Sequence, residues 1–196
     1  MAALRVVAGQ FRGRRLASPS GRAVRPTRDS VREAVFGMLS SLEVLEGASV
    51  LDLFAGTGAL GIEAVSRGAA DVTFVERDPV ALAVLRANLD SLGLGEPTAT
   101  VVRAEVLGWL ERVGPNNDPN DGMARPPADL ALCDPPYAFS RWPDLLGRLA
   151  ARLVMVESDT ELPTVDGWLV RNTKRYGGTL VSLLQAIGHD HPKGFA

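Results

Sequence analysis

The chain has 196 residues, 46% of them apolar and 22% charged, the make-up of one ordinary globular domain large enough to bury a core without staples. A single cysteine, Cys133, excludes an internal disulfide and fits a cytoplasmic protein; no apolar run of membrane-spanning length and no hydrophobic signal core are seen. The net charge of −2 hides a split, because residues 1–32 hold eight arginines against one acid, Asp29, which puts +7 on this stretch and −9 on the other 164 residues.

Residues 1–28 therefore read as a basic N-terminal arm, 29–188 as the folded domain and 189–196 as a tail. All the cations of the arm are arginine, Arg5, Arg12, Arg14 and Arg15 among them, and arginine's planar fork suits phosphate contact and base stacking. A merely solvated tail would carry the same charge. The first helix is expected over Ser30 to Leu42, with Val31, Val35, Met38, Leu39 and Leu42 on one stripe and Ser30 with Glu33 as a capping box. Ser49–Leu53 is a short apolar strand running into a glycine-rich turn, followed by a helix to about Arg67. Val72–Glu76 is a second strand. Asp78 caps the next helix with Pro79 at its first position, and Leu82, Leu85, Leu89 and Leu92 mark its core face.

Thr98–Arg103 reads as a third strand and Val106–Val113 as a short helix. Residues 114–127 turn to Pro, Asn, Asp and Gly, a surface loop. Leu130–Cys133 is a fourth strand, followed by a helix over Trp142–Arg152 and a strand at Leu153–Glu157. Trp168–Tyr176 and Thr179–Gln185 flank Gly177-Gly178 as a hairpin. Strands alternating with helices predict an α/β fold built on an open, mostly parallel sheet with an antiparallel hairpin at its edge. Ligands in such sheets lie at the carboxyl ends of the strands, where strand order reverses.

Two motifs fall at such ends. The first is Asp52-Leu53-Phe54-Ala55-Gly56-Thr57-Gly58-Ala59-Leu60-Gly61, a G-x-G-x-x-G between strand and helix, with Glu76 ending the next strand twenty residues after Gly56. Glycines for close approach and an acid for ribose hydroxyls indicate an adenosine-bearing ligand. Asp52 narrows the choice. Beside a pyrophosphate a fixed carboxylate is repulsive by several kcal/mol at an effective dielectric of ~20; beside a sulfonium or ammonium it attracts. S-adenosylmethionine has both cations and no phosphate. Asp52 also suits loop bracing. Ala104, by its backbone N–H, and Glu105, by its side chain, fall where an adenine edge would lie; Glu105 equally suits the N-terminus of the following helix.

The second motif, Asp134-Pro135-Pro136-Tyr137, directly follows an apolar strand. Two prolines stiffen the backbone and free carbonyls from local N–H groups. The Asp134 carboxylate and Pro135 carbonyl then form an acceptor pair for an –NH₂ group, and Tyr137 offers a stacking face. An exocyclic amine on a base is a poor nucleophile because its lone pair is delocalised. Acceptors that draw its hydrogens out of the ring plane aim that lone pair at a methyl donor, with no metal or covalent step. A base in a structured nucleic acid must be turned out to reach such a pocket.

With these residues the chain resembles the DPPY amino-methyltransferases, and more narrowly the bacterial RsmD-type 16S rRNA (guanine-N2) methyltransferases. The narrower resemblance rests on residues 5–16, on Arg25-Pro26-Thr27 with Asp29 and Val31-Arg32-Glu33, on Leu51–Ala64, on Asp134–Tyr137 and on the terminal hairpin. It implies a Rossmann-like class I methyltransferase with a seven-stranded sheet. It also implies S-adenosylmethionine held around Asp52, Phe54, Ala55, Gly56, Thr57, Gly58, Glu76, Arg77, Ala104 and Glu105 and covered by the Thr27 segment. Asp134, Pro135, Pro136 and Tyr137 would orient the guanine amine, and the arm would meet 16S rRNA in the small ribosomal subunit; a monomer without metal is expected. A DNA amino-methyltransferase, a nucleotide-cofactor oxidoreductase and a non-catalytic RNA-binding protein are the competing readings. Cys133 is expected in the core, Trp109, Trp142 and Trp168 in core or rim, and His189 and His191 lack a catalytic partner.

Overall fold

The structure is a computed structural model that describes residues 4–18, 29–113, 127–136 and 139–188. Twelve elements follow in chain order: α1 (Asp29–Ser41), β1 (Ser49–Leu53), α2 (Ala59–Ser66), β2 (Asp71–Glu76), α3 (Pro79–Leu92), β3 (Ala99–Arg103), α4 (Val106–Val113), β4 (Ala128–Cys133), α5 (Trp142–Arg148), β5 (Ala151–Ser158), β6 (Trp168–Tyr176) and β7 (Thr179–Ala186). They form one seven-stranded sheet in the order β3-β2-β1-β4-β5-β7-β6. The first five strands are parallel, and β7 and β6 close the edge as the expected antiparallel hairpin.

Period-two alternation sorts the strand side chains between two helical layers. On one face Val50, Leu130, Leu132, Leu153 and Met155 pack with Val31, Val35 and Leu39 of α1, Ile62 and Val65 of α2, and Leu82, Leu85 and Leu89 of α3. On the other, Leu51, Leu53, Ala131, Cys133 and Val154 pack with α4 and α5. β1 and β4 are neighbours, yet the sequence order runs leftward to β3 from one and rightward from the other. That is the switch point at which parallel sheets open a crevice.

Two expectations need correction. Residues Ala151 and Arg152 belong to β5, not to the preceding helix, which stops at Arg148. Leu149, Ala151 and Leu153 are buried while Arg152 is exposed, a strand's alternation, and Ala151 pairs with Ala128. The charged Arg152 reads as helical only when that alternation is overlooked; its guanidinium meets Asp129 of β4 at 3.4 Å.

The second correction concerns the basic arm. Residues 4–18 are packed into the body, with Val6 and Leu16 buried in the core beside α1, α2 and α3. Arg5 and Arg15 bridge antiparallel, so the segment is a small hairpin. Its anchor is Glu63 of α2, which is wholly buried and accepts from the N–H groups of Val7 at 2.7 Å and Ala8 at 3.0 Å. Arg67 pairs with the same carboxylate at 2.8 Å, Arg32 lies 3.9 Å from it, and Arg32 also donates to the Arg5 carbonyl. Two buried apolar side chains, each contributing roughly 1.5–3 kcal/mol, and a neutralised buried acid hold the hairpin down. The arginine side chains of Arg5, Arg12, Arg14 and Arg15 remain on its exposed side. Among the described residues no helix is long and apolar enough to cross a membrane.

Candidate active site

Both motifs lie at the carboxyl ends of the two central strands. Leu53 of β1 pairs in register with Cys133 of β4, so the residues that follow, Phe54 and Asp134, leave the sheet side by side. Phe54 turns the chain sharply at φ +64, a left-handed conformation that a bulky residue adopts at a cost of order 1–3 kcal/mol. Its ring meets Phe139 edge-on at 5.4 Å between centroids, and Phe139 meets Trp142 at 4.8 Å. This aromatic file joins the loop after β1 to the segment after β4. Phe139 falls two residues beyond the Asp134–Tyr137 motif, and only the fold brings its ring to Phe54.

The glycine-rich turn is shaped by close packing on one side and openness on the other. A Cβ on Gly61 would fall 2.3 Å from the Phe74 ring and 2.9 Å from the Asp52 carboxylate, so α2 approaches the sheet only because this residue is glycine. Gly56, at φ +55, has nothing nearer than the Phe54 carbonyl at 3.9 Å, which leaves its face of the loop open. Ala55 is buried and its N–H donates to the Val75 carbonyl; Gly58 donates to the Ala55 carbonyl and starts α2. Thr57 is buried, and its carbonyl accepts from the Asn88 side chain at 2.9 Å.

Three carboxylates converge on this crevice. Asp52 is 1% exposed, and one of its oxygens accepts from the Gly61 N–H at 2.9 Å. Burial holds its pKa well above the ordinary carboxylate range; the Gly61 N–H opposes that shift, while the negative charges of Asp134 and Glu76 reinforce it. Glu76 accepts from Gly56 N–H at 2.9 Å with one oxygen, and from Arg77 and Asp78 N–H at 2.7 and 2.8 Å with the other. It thereby ties the glycine loop to the β2–α3 turn. Arg77 extends its side chain into solvent, and Asp78 caps α3 as expected.

On β3 the expected roles change. The Ala104 N–H is taken by the Glu76 carbonyl at 3.1 Å, because the parallel ladder with β2 runs through Arg103 and claims the next donor. It is therefore not available to an adenine ring in this state. Glu105 accepts from the Gly108 N–H at 2.9 Å with one carboxylate oxygen, the helix-terminus role.

Asp134 is half-buried and Pro135 is partly exposed. The Pro136 carbonyl accepts from Phe139 N–H at 3.1 Å, so Pro136 shapes the turn and its oxygen is already engaged. Tyr137 and Thr27 lie outside the described residues, as do most of the 114–127 loop and both histidines. Cys133 is buried in the α4–α5 face of the core, and its thiol is pushed far up by burial and by the charges of Asp52 and Asp134. A thiol so held is no thiolate nucleophile. Trp109 and Trp142 are core residues and Trp168 packs at its rim. Among the described residues no group of three His, Cys, Asp or Glu side chains could hold a metal ion.

Residues 4–185 match the family described as Conserved hypothetical protein 95. The chain belongs to this family. It is 34% identical over 192 residues to Ribosomal RNA small subunit methyltransferase D of Escherichia coli (strain K12), covering 93% of this chain and 89% of that one. The protein of the same name from Haemophilus influenzae is 32% identical, covering 89% of each chain. A solved Escherichia coli structure superposes with a TM-score of 0.79 at 33% identity, covering 96% of this chain and all of the other. Family membership thus spans the N-terminal hairpin, both motifs and the terminal hairpin together.

Proposed function

We propose that this chain is an S-adenosylmethionine-dependent methyltransferase that methylates the exocyclic N2 amino group of a guanine in 16S rRNA of the small ribosomal subunit. The observation that carries the reading is the meeting of the glycine loop and Asp134-Pro135-Pro136 at the ends of adjacent strands. The names of the family's relatives in Escherichia coli and Haemophilus influenzae support the RNA and the subunit. The guanine amine follows from the resemblance of the Asp134 motif and from its acceptor chemistry.

The crevice suits the cofactor on its own chemistry. Asp52, Glu76 and Asp134 supply negative charge, which favours a ligand bearing a sulfonium and an ammonium and opposes one bearing phosphates. Gly56 opens its face of the loop, so a ligand can approach the backbone there. Asp52, Phe54, Ala55, Gly56, Thr57, Gly58, Glu76 and Arg77 would line the cofactor site, with Glu105 at its far edge and Thr27 over it. When bound, the cofactor supplies an electrophilic methyl group.

The chain's own residues do the rest. The Asp134 carboxylate and Pro135 carbonyl accept the two hydrogens of the amine, which turns its lone pair away from conjugation and towards the glycine loop. The same carboxylate stabilises the positive charge that grows on the nitrogen, and it lies nearest to take the proton released afterwards. Tyr137 would stack on the turned-out base, and the Phe54–Phe139–Trp142 file braces the loop after β1 against the segment after β4. The high pKa of Cys133 removes the covalent cysteine route. Arg5, Arg12, Arg14 and Arg15 contact RNA phosphates. The enzyme works as a cytoplasmic monomer.

The test is a transfer assay with methyl-labelled S-adenosylmethionine and, in separate reactions, naked 16S RNA, small subunits and duplex DNA, followed by nucleoside analysis. Label is expected in N2-methylguanosine from one of the RNA substrates. Label on DNA alone, on adenine or nowhere would overturn the reading.

A further inference from the structure

We infer that Asn88 is a positioning residue that couples the RNA-facing N-terminal hairpin to the cofactor loop, so that each ligand strengthens binding of the other. The inference rests on the function proposed above and concerns how its two sites communicate. Asn88 stands on the core face of α3, between Leu85 and Leu92, and is 2% exposed. A polar side chain there must find partners. Asn88 spans two separate segments to find them. Its amide nitrogen donates to the Thr57 carbonyl at 2.9 Å and to the Ala17 carbonyl at 3.2 Å, and its amide oxygen accepts from the Ala17 N–H at 2.7 Å.

The chemistry is specific to an amide of this length. Both of its donors and one acceptor position are used, and the Ala17 N–H with the Thr57 carbonyl fixes which way round the amide stands. An aspartate would set an oxygen against two carbonyls. Glutamine would carry the amide one methylene too far.

The hairpin is held to the same helix one turn away, where the Arg14 guanidinium donates to the Ser91 carbonyl. Between Arg14 and Ala17 the chain therefore climbs α3 from Ser91 to Asn88, in the direction of the glycine loop. Arg14 is one of the arginines assigned to RNA, and Thr57 is part of the loop assigned to the cofactor. A phosphate held by Arg14 fixes the segment that Asn88 ties to Thr57. Conversely, a ligand that fixes the loop fixes Thr57, Asn88 and Ala17 in turn. Coupling of this kind is reciprocal by thermodynamic necessity, and its usual size is about 5–150-fold in affinity.

The experiment uses full-length protein, S-adenosylhomocysteine as a non-reacting cofactor probe, and unmethylated small subunits as the RNA probe. In the wild type, saturating subunits are expected to tighten S-adenosylhomocysteine binding at least fivefold, and the probe to tighten subunit binding by the same factor. Asn88→Ala should bring that factor to near one. Ala17→Pro, which deletes the N–H that the Asn88 amide oxygen accepts, should do the same. The double variant should lose no more than either single one, since both cut one link. A purely structural Asn88 would lower the melting temperature and leave the factor intact, which would overturn the inference. So would an additive double variant, or a wild type that binds both probes without coupling. A wild type that does not bind S-adenosylhomocysteine at all would instead strike the proposed function.

Discussion

Two buried carboxylates, Asp52 and Glu63, stand on the same side of the sheet and are handled in opposite ways. Glu63 is wholly buried and receives two backbone N–H groups and Arg67, with Arg32 close by. Asp52 is as deeply buried, takes the Gly61 N–H, and faces the like charges of Asp134 and Glu76, so its pKa is driven up. The first arrangement spends a carboxylate on holding a segment in place. The second leaves a buried acid poorly compensated beneath the glycine loop, which destabilises the ligand-free protein and favours a cationic ligand. Stored electrostatic strain of this sort concentrates at functional sites.

The largest effect that would sharpen this contrast belongs to the acid facing the substrate. Asp134→Ala should lower single-turnover methyl transfer by on the order of 10²–10³-fold, while S-adenosylhomocysteine affinity, measured by calorimetry, changes less than about threefold. Equal losses in both would mean that Asp134 serves the cofactor rather than the amine. Next comes the structural acid. Glu63→Ala leaves Arg32 and Arg67 without their carboxylate and should cost about 3–5 kcal/mol in urea unfolding, with little change in cofactor affinity for the folded fraction. A loss under about 1 kcal/mol would show that the hairpin is not anchored through Glu63.

Asp52→Asn should do the reverse of Glu63→Ala. A carboxyl whose pKa is raised on folding keeps a proton that the unfolded chain has already released, so stability falls as pH rises through the raised titration. The amide removes that fall and can still accept from Gly61. The apo protein at neutral pH should therefore melt about 2–4 °C higher for each ~1 kcal/mol recovered. A lower melting temperature would show that Asp52 braces the fold and nothing more. The smallest effect is expected at the surface: replacing Arg12, Arg14 and Arg15 with alanine should flatten the salt dependence of RNA binding by roughly 0.7–0.9 in log–log slope per lost phosphate contact. An unchanged slope would remove the hairpin from the RNA interface.

Much of this was legible in the residues. β1 and α4 fall where strand and helix periodicity put them, because uninterrupted apolar patterning and a glycine turn leave little choice of boundary. Arg152 misled the reading of α5, since one charge in an alternating run looks like a helix's polar face. Ala104 could not be read from sequence at all: whether a backbone N–H is spare depends on where a neighbouring strand's ladder stops. Glu63 and Asn88 did leave a trace. Each is a polar residue at an apolar position of its helix: Glu63 within Leu60-Gly61-Ile62-Glu63-Ala64-Val65, and Asn88 on the stripe of Leu85 and Leu92, away from the exposed Arg86, Asp90 and Ser91. Such a residue announces a partner, but only the fold says that the partner is the N-terminal segment.

The central claim is that a poorly compensated acid at the end of β1 waits for a cationic ligand, and the pH dependence of S-adenosylhomocysteine affinity tests it most directly. In the wild type, affinity should climb with pH through the raised titration of Asp52 and level off above it. In Asp52→Asn the climb should vanish and affinity at neutral pH should fall about tenfold, or ~1.4 kcal/mol. Parallel curves of equal affinity for the two proteins would contradict the account.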